Sequence, residues 1–148
     1  CRLPKNWAKI LLFQLKSNSS NNIVWYFDFK VEKEALAIRL LELAVNLRSF
    51  LIKKPYGDQA LLIRNELYKK IGGYKPIHIM EDIELIGRLP HQVKLRSLKI
   101  PLFCNSRKWD KNDILINAYK NIKLRRRWMK GEDPELLYKD YYSHKPKE

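Results

Sequence analysis

Cysteine is nearly absent. The chain has two, Cys1 and Cys104, and neither shares a metal-type spacing with histidine or another cysteine. A disulfide framework and a zinc-type site are thereby excluded, and a reducing cytoplasm fits. Glycine is scarce too, at five residues. No Gly-rich phosphate loop and no dinucleotide fingerprint occurs, so these residues alone are expected to bind no nucleotide sugar tightly. No apolar run approaches the roughly 20 residues that cross a bilayer as a helix, and the opening does not read as a signal peptide. There is no internal repeat and no low-complexity tract. His78 and His91 stand alone, without ligand spacing. Acidic residues are few: 16 against 30 Lys and Arg leave a formal charge of +14. That sign admits polyanions as partners, namely nucleic acid, an anionic membrane or a phosphorylated substrate. The joint richness in Lys, Asn and Ile, as in an AT-rich genome, explains the basicity equally well.

What remains suits one domain. The chain has 148 residues, 45% of them hydrophobic, enough for a real core. Asn6 to Leu15 has helical periodicity, with Trp7, Ile10, Leu11 and Gln14 on one side. Ser17 to Asn22 is a polar loop. Ile23 to Phe29 is β-branched and aromatic and reads as a strand. Glu32 to Leu51 is the clearest helix. Leu36, Leu40, Leu43, Leu47 and Phe50 or Leu51 share a face, so Leu40, Leu43 and Leu47 are expected in the core. Pro55 and Gly57 stop it.

Ala60 to Ile63 reads as a short strand, and Asn65 as the cap of a helix Glu66 to Ile71 closed by Gly72 and Gly73. Glu81 to Leu89 is a short helix ended by Pro90. Val93 to Ile100 and Leu102 to Cys104 read as two strands joined at Pro101. A long basic helix, Asp113 to Met129, and a short one from Pro134 follow. Mixed strands and helices with this spacing predict an α/β domain.

The informative stretch is Pro55-Tyr56-Gly57-Asp58-Gln59, Ile63-Arg64-Asn65, Gly72-Gly73-Tyr74 and Met80-Glu81-Asp82. Singly, each piece has an ordinary explanation. Gly-Gly ends helices, acids favour a helix's first turn, and an Asp in a turn satisfies backbone amides. In this order they resemble the acceptor-side half of family 2 glycosyltransferases. The selenodomain-associated (radical-SAM-associated) subgroup is closer still. It shares Asn46-Leu47-Arg48-Ser49, Pro-Tyr-Gly-Asp-Gln, Gly-Gly-aromatic and Met-Glu-Asp, and a segment similar to Ser106-Arg107-Lys108-Trp109. The likeness runs from Arg2 to about Tyr138.

The resemblance implies a GT-A-like fold: a mixed sheet flanked by helices over residues 1–109, then a basic helical extension over 110–148. It implies an inverting transfer of a sugar from a nucleotide-diphosphate donor to a hydroxyl acceptor. Arg2-Leu3-Pro4 resembles the segment that follows the acidic metal-binding motif of that family. The chain, opening at Cys1, therefore reads as a fragment. The carboxylates for a divalent metal, Mg or Mn, and the nucleotide-binding half are expected upstream. By the same resemblance Asp82 is the general base and Glu81 its neighbour in positioning. Tyr56, Gly57, Asp58 and Gln59 lie near the acceptor. Arg107 and Lys108 are candidates to neutralise the leaving diphosphate. An acid on a helix's first turn is rigidly held and stays ionised, which suits a base. Tyr56 and Tyr74 have the rings to stack on a sugar or to pack.

Lys120, Lys123, Arg125, Arg126, Arg127 and Lys130 cluster around Trp128, with Ile114, Leu115, Ala118, Ile122 and Met129 as apolar positions. Such a helix packs with its charges in water, or lies on an anionic membrane, giving a cytoplasmic, peripheral protein. Nucleic acid ranks lowest among partners, because no base-reading module accompanies the cluster. The competing function is a non-catalytic basic module binding an anionic membrane or nucleic acid.

Overall fold

A computed structural model describes residues 1–17, 22–105 and 114–143. Arg107 and Lys108, with the rest of their Ser-Arg-Lys-Trp segment, lie outside the described residues. The chain is a mixed α/β domain: a three-stranded sheet in the order β2-β1-β3, flanked by helices. Among the described residues no helix is long and apolar enough to cross a membrane.

Strand β1 (Ile23–Val31) is the centre, and its β-branched and aromatic residues are buried at nearly every position. β3 (Lys94–Cys104) runs parallel beside it from Ile23↔Lys94 to Val31↔Cys104. The two strands expected around Pro101 are thus one. Its break lies at Lys99, in the left-handed region at φ 57°. Between Tyr26↔Ser97 and Asp28↔Pro101, β1 advances two residues and β3 four. The Ser97 hydroxyl holds this bulge by donating to Asp28 Oδ1 at 2.5 Å and accepting from Lys99 N–H at 2.9 Å. Pro101 is tolerated there, next to a bulge in an outer strand. On the far side of β3, Arg2 pairs with Phe103, and the Cys1 and Cys104 sulfurs lie 3.1 Å apart.

Helix α1 (Trp7–Ser17) lays Trp7, Ile10, Leu11 and Leu15 on a core of Ile23, Trp25, Phe27, Leu98, Ile100 and Leu102. β2 (Leu61–Leu62) is antiparallel to β1 but reaches only Trp25 and Tyr26. Past that point side chains complete the edge of β1. Gln59 Nε2 donates to the Phe27 carbonyl at 3.3 Å. Asn46 Oδ1 accepts from Phe29 N–H at 2.8 Å, and Glu42 Oε1 accepts from Val31 N–H at 2.7 Å.

Asn46 and Glu42 belong to helix α2 (Leu36–Ile52). Four helical residues rise about 6 Å and two strand residues about 6.6 Å, so side chains at i and i+4 meet alternate strand residues. This reverses the expected face of α2. Ile38, Glu42 and Ser49 are buried, whereas Leu36, Leu40, Leu43, Leu47, Phe50 and Leu51 are 50% to 79% exposed. The correction has a physical reason. Burying the leucine stripe would take Asn46 and Glu42 away from the Phe29 and Val31 amides that they now satisfy. Arg39 Nη1 neutralises the buried Glu42 at 2.6 Å.

Helices α3 (Asn65–Lys70) and α4 (Glu81–Gly87) follow. Asn65 is the first helical residue; Arg64 occupies the cap position, with no side-chain cap. α5 (Ile114–Met129) and α6 (Pro134–Ser143) close the described chain; among their described side chains Leu124 and Leu137 are buried.

Candidate functional site

Two segments that the sequence keeps apart meet at one hydrogen bond. The chain leaves α2 through Lys53, at φ 52°, passes the buried Pro55 and makes a 3₁₀ turn at Gly57–Gln59. α4 opens after Met80, at φ 64°, which places Glu81 and Asp82 on its first turn. Gly57 N–H donates to Asp82 Oδ2, and Ile83 N–H donates to Asp82 Oδ1 at 2.7 Å. A Cβ on residue 57 would stand 3.2 Å from Asp82 Oδ2, so this approach favours glycine. Tyr56, Gly57, Asp58 and Asp82 thereby form one constellation, with Glu81 exposed beside it. Gln59 turns the other way. Its side chain is 0% exposed, and besides the Phe27 bond its Oε1 accepts from Ser49 Oγ at 2.5 Å. That amide serves the interior.

Two cations complete the site. The Arg48 guanidinium, from α2, lies 4.1 Å from the Tyr56 ring centroid, and Arg125, from α5, lies 4.7 Å from it. Burial, the largest influence, lowers the Arg48 pKa; Asp58 opposes it and Arg125 adds to it. Burial likewise raises the Asp58 carboxyl, with Arg48 opposing and the charge of Asp82 adding. As a residue Asp58 is nonetheless exposed. Tyr74 is raised by burial and then by Asp82 and Glu81. Arg48 was visible in the sequence only as part of a shared motif, and Arg125 only as one of a basic run. No spacing rule connects residues 48, 56, 58, 82 and 125.

A second ion-pair group sets the angle of α4. Glu84 accepts from Arg88 Nε at 2.8 Å and lies 2.6 Å from Lys75 Nζ. Arg88 also donates to the carbonyls of Ile71 and Gly73. Gly72 and Gly73 have φ of 79° and 62°, and a Cβ on Gly73 would meet the Tyr68 ring at 3.0 Å. Burial alone would raise the Glu84 carboxyl, but Arg88 and then Lys75 hold it below its ordinary value. A cleft of about 480 Å³ opens beside Tyr56, lined also by Lys53, Lys54, Ile83 and Trp128.

No group of three or more His, Cys, Asp or Glu among the described residues is arranged to hold a metal ion. The described residues therefore do not fit a metal site. The His78 ring lies 5.2 Å from that of Tyr138, tilted by 42°, and faces Glu135 at 3.5 Å. What the arrangement offers is a fixed carboxylate, a second carboxylate whose pKa burial raises, and two guanidiniums on one aromatic ring. No family model matches the chain, and no curated protein or solved structure is similar enough to count as a match.

Proposed function

We propose that the chain is the acceptor-side half of a GT-A-like, family 2 type glycosyltransferase that moves a sugar from a nucleotide-diphosphate donor to a hydroxyl acceptor with inversion. The observation that supports this most is the Gly57–Asp82 hydrogen bond. It joins Pro-Tyr-Gly-Asp-Gln to Glu-Asp, the two motifs on which the resemblance rests. Asp82 is held by two backbone N–H groups, yet each carboxylate oxygen keeps a lone pair for a third partner. In the transfer, Asp82 takes the acceptor's hydroxyl proton and the freed oxygen attacks the sugar's anomeric carbon. The bond from that carbon to the diphosphate oxygen breaks, and its electron pair leaves with the diphosphate. Glu81 orients the acceptor, and Tyr56, its ring covered by Arg48 and Arg125, holds those guanidiniums beside the carboxylates. A Mg or Mn ion, if used, finds its ligands outside these residues, and no step here depends on one.

The test is Asp82→Asn in the intact protein. General-base catalysis contributes about 10²–10⁴ in rate, so kcat should fall by that order with donor affinity retained. Glu81→Gln should lower it less. Asn keeps one acceptor oxygen but turns an NH₂ towards a backbone N–H, so a stability loss of about 1–3 kcal/mol accompanies the change. Turnover must therefore be read per folded molecule. Near-normal turnover removes Asp82 as the base.

The second reading, a basic module on an anionic membrane at the cytoplasmic face, draws on one side of α5. There Tyr119, Ile122 and Met129 are exposed together with Lys123, Arg126 and Lys130.

A further inference from the structure

We infer that the outward face of α2 is where two copies of this chain pair, helix against helix, antiparallel about a two-fold axis. The inference does not depend on the transferase reading. α2 is amphipathic in the inverted sense. Its polar side chains, Arg39, Glu42, Asn46, Arg48 and Ser49, are buried or half-buried, and every exposed residue from Leu36 to Ile52 is Leu, Ala, Phe or Ile. No charge interrupts that face along a helix about 25 Å long. Its seven large apolar side chains are 50% to 79% exposed. Together they present an area on the order of the 800 Å² that a standard interface takes from each partner. Contiguous apolar patches of more than a few hundred Å² mark interaction sites.

The pattern of the face selects the partner. Leu36, Leu40, Leu43, Leu47 and Phe50 follow one another at spacings of four and three, the seam of a paired helix over two heptads. Helical geometry sets this seam opposite the buried Ile38, Glu42 and Ser49, so it points away from its own domain. The seam is also self-complementary, as an isologous contact requires. Ala44 stands at the middle of α2, exposed, where a small side chain lets two backbones approach at the axis. With the axis there, Leu43 and Leu40 of one copy come level with Leu47 and Phe50 of the other. At the ends, Glu34, whose side chain is 95% exposed, comes level with the exposed Lys54. Unlike charges therefore flank the apolar seam on both sides of the axis. An anionic membrane calls for no two-fold match and repels the acidic end.

Sedimentation equilibrium of this chain over a concentration series tests the pairing. A monomer–dimer equilibrium is expected, with a dissociation constant of about 1–100 µM, the range of a modest apolar interface. Below that concentration the copies separate, so denaturation of dilute protein reads the single chain. Leu43→Glu buries an unpaired charge in the seam and should weaken pairing about a hundredfold or more. Phe13→Glu makes a like change at an exposed position of α1 and should leave pairing unaltered. Glu34→Lys should weaken it roughly threefold to tenfold, since both ends lose a pair, and adding Lys54→Glu should restore it. Restoration is specific to the antiparallel arrangement, because parallel copies would set Glu34 beside Glu34. Circular dichroism checks that each variant is folded, as these exposed positions allow. The inference is overturned if the parent chain stays monomeric at roughly ten times the weakest of those constants. It is also overturned by open-ended association without a discrete dimer, by an equal effect of Phe13→Glu, or by a charge-reversed pair that fails to restore. A monomeric chain that co-sediments with phosphatidylcholine vesicles until Leu43→Glu is introduced would assign the face to lipid instead.

Discussion

Asn46 brackets Phe29: its amide oxygen accepts from the Phe29 N–H at 2.8 Å and its amide nitrogen donates to the Phe29 carbonyl at 3.1 Å. A helical side chain thus takes the place of a neighbouring strand where β2 ends. Asn46→Ala should destabilise the chain by about 1–3 kcal/mol, because two backbone groups lose their partners. Asn46→Leu should do no better despite its greater apolar volume. Urea denaturation of both variants checks this. A stabilised Asn46→Leu would show that the edge of β1 needs no polar partner.

The two faces of α2 should respond oppositely to truncation. Leu43 is 63% exposed and Ile38 0% exposed. Leu43→Ala is expected to change stability by less than about 0.5 kcal/mol, as exposed substitutions do. Ile38→Ala should lose about 2–5 kcal/mol. Parallel denaturation curves decide between them, and equal losses would mean that the leucine stripe is covered in solution.

Two carboxylates give opposite pH dependences. The folded pKa of Glu84 lies below its ordinary value of 4.5. Its stabilising contribution is present above that value and lost as pH falls through the folded pKa. Glu84→Gln should therefore cost about 1.5–3 kcal/mol at neutral pH and progressively less in acid. Asp58 has a raised pKa, so its contribution is full below its ordinary value of 3.8 and lost as pH rises through the folded pKa. Asp58→Asn should stabilise the chain at neutral pH and have no effect in strong acid. Thermal midpoints across pH 3–8 (roughly the range over which carboxylates titrate) test both signs.

The exposed side of α5 should govern any attachment to lipid. Replacing Lys123, Arg126 and Lys130 with Gln should weaken co-sedimentation with phosphatidylserine vesicles, each basic group contributing about 1 kcal/mol. Arg127, paired with Glu132 and Asp140, should matter little. No binding by the parent chain removes the membrane reading.

Local pattern placed most of the elements, although it split β3 in two at Pro101. A β-branched aromatic run made β1, Pro and Gly bounded α2 and α3, and first-turn acids marked α4, because each signal acts over a few residues. The order of the motifs and the resemblance it carries single out Tyr56, Gly57, Asp58, Asp82 and Glu81, since each piece taken singly has an ordinary local explanation. Tertiary structure decided which face of α2 is inside. Periodicity reports that a stripe is apolar, not that a neighbouring strand end needs hydrogen-bond partners, and here Glu42 and Asn46 answer that need. It also turned Gln59 inward and brought Arg48 and Arg125 to one ring. Such contacts join distant stretches of chain, and only the path of the folded backbone fixes which charges meet.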